Sequence, residues 1–316
     1  MIKIRKDAVV LTDAHYDHPN TSLLIFHFEP HLSTSTVSRM ERCKIKHGSL
    51  EGKEIYILDN FFQKEEGNEL RAYSKKATFS RNSYGSPEAI KKGEKPALSM
   101  DGKERWQFFS SPPEVVKEVY DLFSTLADRM EAEVTTLPWE LSDHSAHGSP
   151  AIIANFLEEA SRESMELGKH RDCNPEKTLS FGIPVLYSPT KELHENNFAN
   201  GAPGKPWLVS VMLYATDPKF LPEYALGTVF YKENGEIALR ADCLNMRLVF
   251  FEGDIWHSIE ESRIPSSVKT WRVSYVFKLI LNPKKKDQDL KKSFHEVLGA
   301  LSPKVETLSL GSQARI

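Results

Sequence analysis

The chain has 316 residues, a net charge of -3 with histidine neutral, and 40% hydrophobic and 27% charged residues. That length supports one large domain with elaborations, or two, around a sizeable core, and the near-neutral balance gives no sign of a nucleic-acid partner. No apolar window reaches membrane-spanning length and the start, Met1 to Asp7, lacks the apolar run of a signal peptide, so a cytoplasmic protein is expected.

Residues 1–50 carry short apolar runs, such as Leu23-Leu24-Ile25-Phe26-His27-Phe28, and are expected to form an N-terminal extension that braces a main domain over 51–283. Gly67 to Lys76 is compatible with a helix. Thr78 to Arg105, with Arg81, Asn82, Tyr84, Gly85, Gly93 and Pro96, is too irregular for a regular element, and a long loop of this kind suits a binding lid. Pro112-Pro113-Glu114 then opens a helix, because proline is tolerated in the first turn and Val115, Val116, Val119, Leu122, Phe123 and Leu126 recur at helical spacing. Strands are expected at Leu248 to Phe251 and Trp271 to Leu279. Beyond Pro283, the run Lys284-Lys285-Lys286 precedes an amphipathic helix with Leu290, Phe294, Val297, Leu298 and Leu301 on one side, so 284–316 reads as a basic helical tail docked on the surface. No internal repeat is visible.

The chemistry concentrates in His170-Arg171-Asp172 and the distant His257. In an extended segment, side chains alternate between faces, so His170 and Asp172 point one way and Arg171 the other. Gly253-Asp254-Ile255-Trp256-His257 follows an apolar strand through a turn and delivers the third ligand from a segment remote in sequence. Two imidazoles and one carboxylate suit Fe(II), bound on one face with the opposite face open. Arg272, on the following strand, has the planar fork that pairs with a carboxylate.

Other readings are weaker. His-Arg-Asp also opens the catalytic loop of protein kinases, but the Leu and Asn that follow it there, the upstream Gly-rich loop and the downstream Asp-Phe-Gly are missing. Asp143, His144 and His147, like His15, Asp17 and His18, read as solvated loop residues. Cys43, Cys173 and Cys243 form no C-x-x-C pair, which argues against a cysteine-type zinc site and for free thiols.

The stretch from about Glu166 to Leu279 resembles the double-stranded β-helix core of the Fe(II)/2-oxoglutarate-dependent dioxygenases, in their prolyl-hydroxylase-like branch. Tyr56-Ile57-Leu58-Asp59-Asn60-Phe61-Phe62 resembles the segment that leads into that core. The resemblance implies a mainly β fold with flanking helices (α+β), built on a jelly-roll, cupin-like core. It implies that His170, Asp172 and His257 hold the iron and that Arg272, with Tyr214, holds the far carboxylate of 2-oxoglutarate; Lys278 and Lys269 are the other basic residues placed for that role. O2 is the second cosubstrate, succinate and CO2 are the coproducts, and the carboxylate at Asp172 points to hydroxylation of a substrate, with an amino acid or peptide favoured. Leu226 stands where the family pattern has the first of two glycines, and Pro184 to Lys205 lengthens the segment after H-x-D. Arg81, Asn82, Tyr84, His194, Glu195, Asn196 and Asn197 are placed to line a substrate mouth. A cupin-like binding protein, or a metal enzyme without 2-oxoglutarate, are the alternatives on the same barrel.

Overall fold

The computed structural model describes residues 2–7, 23–76, 79–81, 98–100, 111–136, 139–140, 153–154, 169–172, 200–217, 219–265, 267–268, 270, 272–308, 310 and 315–316. Its strands are β1 (Ile2–Asp7), β2 (Leu23–Phe28), β3 (Lys44–Leu50), β4 (Lys53–Asp59), β5 (Phe79–Arg81), β6 (Leu98–Met100), β7 (Ala132–Thr136), β8 (Trp139–Glu140), β9 (Ile153–Ala154), β10 (Trp207–Tyr214), β11 (Thr228–Tyr231), β12 (Ile237–Ala241), β13 (Leu248–Glu252), β14 (Trp256–Ile259), β15 (Ser274–Pro283) and β16 (Val305–Thr307). The α-helices are α1 (Thr34–Arg42), α2 (Gly67–Lys76), α3 (Glu114–Arg129) and α4 (Leu290–Leu301). The fold is mainly β. A large mixed sheet has the order β1-β2-β7-β15-β10-β13-β4-β3-β16, with β8 on β2 and β9 on β15; a small sheet has the order β12-β11-β14, and β5 pairs with β6.

The large sheet is covered on both faces. Strand β10 is buried along its whole length, which explains why its sequence, Trp-Leu-Val-Ser-Val-Met-Leu-Tyr, is almost continuously apolar rather than alternating. Its period of two still sorts the side chains: Val209, Val211 and Leu213 join the core under the helices, whereas Met212 and Tyr214 join a second core shared with the small sheet. On the helical side, Phe123 of α3 makes edge contacts with Phe28 and Phe277 at 5.2 and 5.7 Å, and Phe294 of α4 meets Tyr56 and Trp207 at 5.0 and 5.2 Å. Between the sheets lie Ile57, Val249, Phe251 and Val276 from the large one and Phe230, Leu239 and Ile259 from the small one. This layering is that of a β-sandwich with helices packed outside.

Helix ends follow local chemistry. Helix α3 begins after Pro113, and the Glu69 carboxylate on α2 accepts from the Glu114 and Val115 backbone N–H groups at 2.8 and 3.0 Å, which satisfies donors the first turn leaves open. Helix α4 is capped by Asp289, which accepts from the Lys292 N–H at 3.0 Å. Its apolar stripe of Leu290, Phe294, Leu298 and Leu301 is part of the main core.

Two expectations shift in detail. The strand expected from Trp271 runs instead as Ser274–Pro283. The H-x-D segment, expected as a strand, is an isolated antiparallel bridge between His170 and His257 among the described residues. Asn82, Tyr84, Asp143, His144, His147, His15, Asp17, His18, His194, Glu195, Asn196, Asn197, Cys173, Lys269 and Trp271 lie outside the described residues, and of Arg81 only the backbone, at the end of β5, is described. Cys43 and Cys243 are free and buried. No helix among the described residues is long and apolar enough to cross a membrane.

Candidate metal centre

His170 and His257 exchange both backbone hydrogen bonds, at 3.0 and 2.9 Å, and this pairing brings two residues 87 positions apart into register with their rings 4.3 Å apart. Asp172 completes the group. One ligand atom from each of His170, Asp172 and His257 lies within 4.8 Å of the others, so the three can hold a metal ion. His170 Nε2 is 3.7 Å from Asp172 Oδ1, and His257 Nε2 is 3.7 Å from Asp172 Oδ2. The His170 side chain is 44% exposed, while those of Asp172 and His257 are 7% and 6% exposed.

Protonation states suit a metal. His257 Nδ1 lies 2.9 Å from the Ile255 carbonyl, which can only accept, so Nδ1 carries the proton and Nε2 presents its lone pair. Burial pushes the His257 imidazole down to about 4, against the pull of Asp172, and so keeps the ring neutral. Burial opposes the charge on Asp172, yet Lys278, His257 and His170 beside it hold its carboxyl well below the usual carboxylate range. The Ser210 hydroxyl donates to Asp172 Oδ2 at 2.6 Å, and Lys278 Nζ sits 2.8 Å from Oδ1. Ser210 and Lys278 are directly opposed on β10 and β15.

The ligand-bearing segments are also clasped from behind. Arg171 lies over the Trp256 ring at 4.6 Å, and Glu233 takes Arg171 Nη2 at 2.5 Å, Trp256 Nε1 at 3.2 Å and Lys53 Nζ at 2.9 Å. Lys169 sits over Tyr231 at 4.9 Å. Residues that alternate with the ligands therefore bind the H-x-D segment to β14 and to β4. Asp254, in the turn before His257, is held by Lys53 at 3.2 Å and by Asn200 at 2.9 Å, which fixes the approach of that ligand.

Two residues before β15, with the same parity as Ser274 and Lys278, lies Arg272. It is fully buried; Nη1 donates to Ser274 Oγ at 3.0 Å, Nη2 lies 3.3 Å from Met212 Sδ, and the guanidinium rests 5.1 Å from the Tyr214 ring centre. Its Nε has no partner, and no carboxylate lies within ion-pairing distance of it among the described residues. The Tyr214 hydroxyl is 2.5 Å from Thr228 Oγ1, and burial raises its pKa against the pull of Arg272. Burial likewise pushes the nearby Cys243 thiol up to about 12, with Arg272 opposing. A buried cation surrounded by neutral groups is costly and is a fitting counter-ion for an anionic ligand.

All five expected site residues thus face the layer between the sheets, in two groups. Lys278 belongs with the metal group rather than with Arg272. Ser210, Arg171, Trp256 and Glu233 were not anticipated as site residues. Ser210 had a readable signal, since it shares strand parity with Tyr214 on β10; the contacts of Glu233 had none, because they depend on strand pairing. Gly227 admits no side chain, as a Cβ there would lie 2.4 Å from the Ala241 carbonyl oxygen, and Leu226 beside it takes a left-handed φ of 59° where a glycine would be unstrained. The chain matches no family model, and no curated protein is similar to it.

Proposed function

We propose that the chain is a non-haem Fe(II)- and 2-oxoglutarate-dependent dioxygenase that hydroxylates an amino-acid or peptidyl substrate. The observation that carries this reading is the pairing of two sites in one buried layer: two imidazoles and a carboxylate within metal-binding distance, and a buried guanidinium with no carboxylate partner among the described residues. The donor set fits Fe(II), and the unpartnered Nε of Arg272 fits the distal carboxylate of 2-oxoglutarate. Strand order supports a double-stranded β-helix: β9-β15-β10-β13 in one sheet, and the His170 bridge, β14, β11 and β12 in the other, so that the chain alternates between the leaves.

Bound there, iron and 2-oxoglutarate supply the oxidative chemistry, in which 2-oxoglutarate and O2 are consumed, succinate and CO2 are released, and one C–H of the substrate becomes C–OH. The protein supplies the geometry. Arg272 anchors the cosubstrate, with Tyr214 beneath it keeping the guanidinium in place. Ser210 and Lys278 orient Asp172, and the Ile255 carbonyl orients His257. Phe230, Phe251 and Ile259 wall the layer against water. His170, half exposed, marks the side from which a substrate enters.

The test is anaerobic titration of the Fe(II)-loaded protein with 2-oxoglutarate, followed by the visible metal-to-ligand charge-transfer band. His257→Ala is expected to lose the metal, and Arg272→Leu to keep it while requiring at least about tenfold more 2-oxoglutarate. Bound iron without a band would point to an oxygenase that does not use 2-oxoglutarate. Metal retained by His257→Ala would remove the ligand assignment.

A further inference from the structure

We infer that the cavity between the β3–β4 hairpin, residues 200–203 and the first turn of α4 binds a small zwitterion of the α-amino-acid class. The inference stands apart from the metal centre, because this cavity lies on the helical face of the large sheet. Tyr56, Trp207 and Glu252 have the strand parity of the core under the helices, whereas Ser210 and Lys278 beside Asp172 have the opposite one. The cavity holds about 370 Å³, within the range of small-molecule sites. His295 and Lys292 are exposed at its mouth, and Tyr56, Glu54, Gly201 and Lys291 line its interior.

Three buried polar groups meet there without partners. The Tyr56 hydroxyl makes no hydrogen bond among the described residues, although the residue is only 1% exposed. Glu54 lies near it but turns Oε2 to His47 Nε2. Burial, with Glu54 and Glu252 alongside, holds the pKa of that hydroxyl far above its ordinary value, so it stays a donor. Glu252 is fully buried behind Lys291; Oε1 accepts from Lys291 Nζ and from the Glu54 N–H, and Oε2 is unpaired. Trp207 leaves Nε1 without an acceptor, and the adjoining Cδ1 backs the Gly201 wall, where a Cβ would lie 2.5 Å from it. In register, Glu252 is opposite Val209, two residues from Trp207, and is itself two residues from Phe250, the partner of Tyr56. The acceptor therefore stands between the two donors. Buried polar atoms are rarely left unpaired, and one ligand with oxygens for the donors and an N–H for Glu252 satisfies all three.

Charge then narrows the ligand. Glu54 and Asp289 line the cavity with Glu252 behind them, against the ammonium groups of Lys291 and Lys292. A simple anion would meet the carboxylates and a simple cation the lysines, each at a cost in a partly buried site. A zwitterion gives each its opposite. Its carboxylate takes the Tyr56 hydroxyl and Trp207 Nε1 on the Lys291 side, and its ammonium takes Glu252 Oε2. Burial raises the pKa of Glu252 to about 7, against the effect of Lys291, and an ammonium bound there favours the ionised form.

The test is isothermal titration calorimetry of the full chain near neutral pH, with the free L-amino acids as probes and the N-acetyl and carboxamide forms of any that binds. At least one free amino acid is expected to bind, and each blocked form to bind about tenfold more weakly. Tyr56→Phe is expected to weaken that amino acid about tenfold by removing a donor to its carboxylate, and Glu252→Gln to do the same by removing the charge opposite its ammonium. Because the Tyr56 hydroxyl has no partner among the described residues, Tyr56→Phe is expected to unfold in urea at the wild-type midpoint or above it. Failure of every free amino acid to bind would overturn the inference and leave ordered water as the occupant. Blocked forms that bind as tightly as the free one would overturn it too, since the site would not then read both charges. Affinity unchanged in either variant would place the ligand elsewhere, and a lowered urea midpoint in Tyr56→Phe would give the hydroxyl a partner within the fold; each sinks the inference.

Discussion

Asp172 is held from two sides, and that restraint has a measurable consequence. A carboxylate free to rotate would lose part of its binding free energy when a metal fixed it; with Ser210 on Oδ2 and Lys278 on Oδ1, the rotation is already restricted. Hydrogen bonds to charged groups contribute about 1.5–3 kcal/mol, and partners that orient metal ligands are worth roughly 10- to 100-fold in affinity. Ser210→Ala is therefore expected to weaken Fe(II) or Co(II) binding about tenfold, measured by competition with a chromophoric chelator, while the fold survives because Ser210 is small and β10 is pinned on both edges. Unchanged metal affinity would mean that the hydroxyl merely fills space. The three residues that can hold a metal were legible in the sequence as candidates: H-x-D spacing sets His170 and Asp172 on one side, and His257 stands at the end of the turn after an apolar strand. Ser210 shares strand parity with Tyr214, which places it on the inner face, but its hydrogen bond to Asp172 depends on a pairing of remote segments that no local pattern encodes.

At the scale of elements, amphipathic helices announce themselves and pairings do not. Helix α2 occupies the stretch read as helix-compatible, and α3 begins right after the two prolines, since both features depend on residues within a turn or two of each other. Parallel pairing of β3 with β16 joins residues some 260 apart in sequence, and no local pattern encodes it. The H-x-D segment reads as a strand and, among the described residues, meets β14 at the His170–His257 bridge, while β14 pairs with β11 as well. The C-terminal helix shows how much an element's surroundings add to its pattern. Its apolar stripe predicts docking; the structure adds that Phe294 sits among Tyr56, Trp207 and Phe250, only 2% exposed. Phe294→Ala is expected to cost about 3–5 kcal/mol of unfolding free energy through the lost transfer and the cavity left behind, read from urea denaturation. A loss below about 1 kcal/mol would show α4 to be a dispensable cover rather than part of the core.

The whole molecule is organised by a sheet with an apolar layer on each face, and Glu252 sits where that sheet, the β3–β4 hairpin and α4 are joined. Its side chain is fully buried at the end of β13; Oε1 accepts from Lys291 Nζ at 2.6 Å and from the Glu54 N–H at 2.8 Å, while Oε2 has no partner among the described residues. Burial raises its pKa to about 7, against the opposing effect of Lys291. The native state thus retains a proton that the unfolded chain, with an ordinary glutamate near 4.5, has already released. Because the native state binds more protons across that window, stability is full below about 4.5, falls as the pH rises toward 7, and is level above it. A shift of this size corresponds to about 3 kcal/mol at most, with less expected because Lys291 moves with the carboxylate. Glu252→Gln keeps an acceptor for Glu54 and Lys291 but cannot ionise, so its stability lacks this fall. Comparing wild type and variant by urea unfolding from pH 4.5 to 8 cancels the other titrating groups: the variant is expected to gain on the wild type steadily up to pH 7 and then run parallel to it. A difference that stays constant across the range would mean that Lys291 keeps Glu252 ionised throughout, and that the junction of sheet and helix is held by an ion pair at every pH.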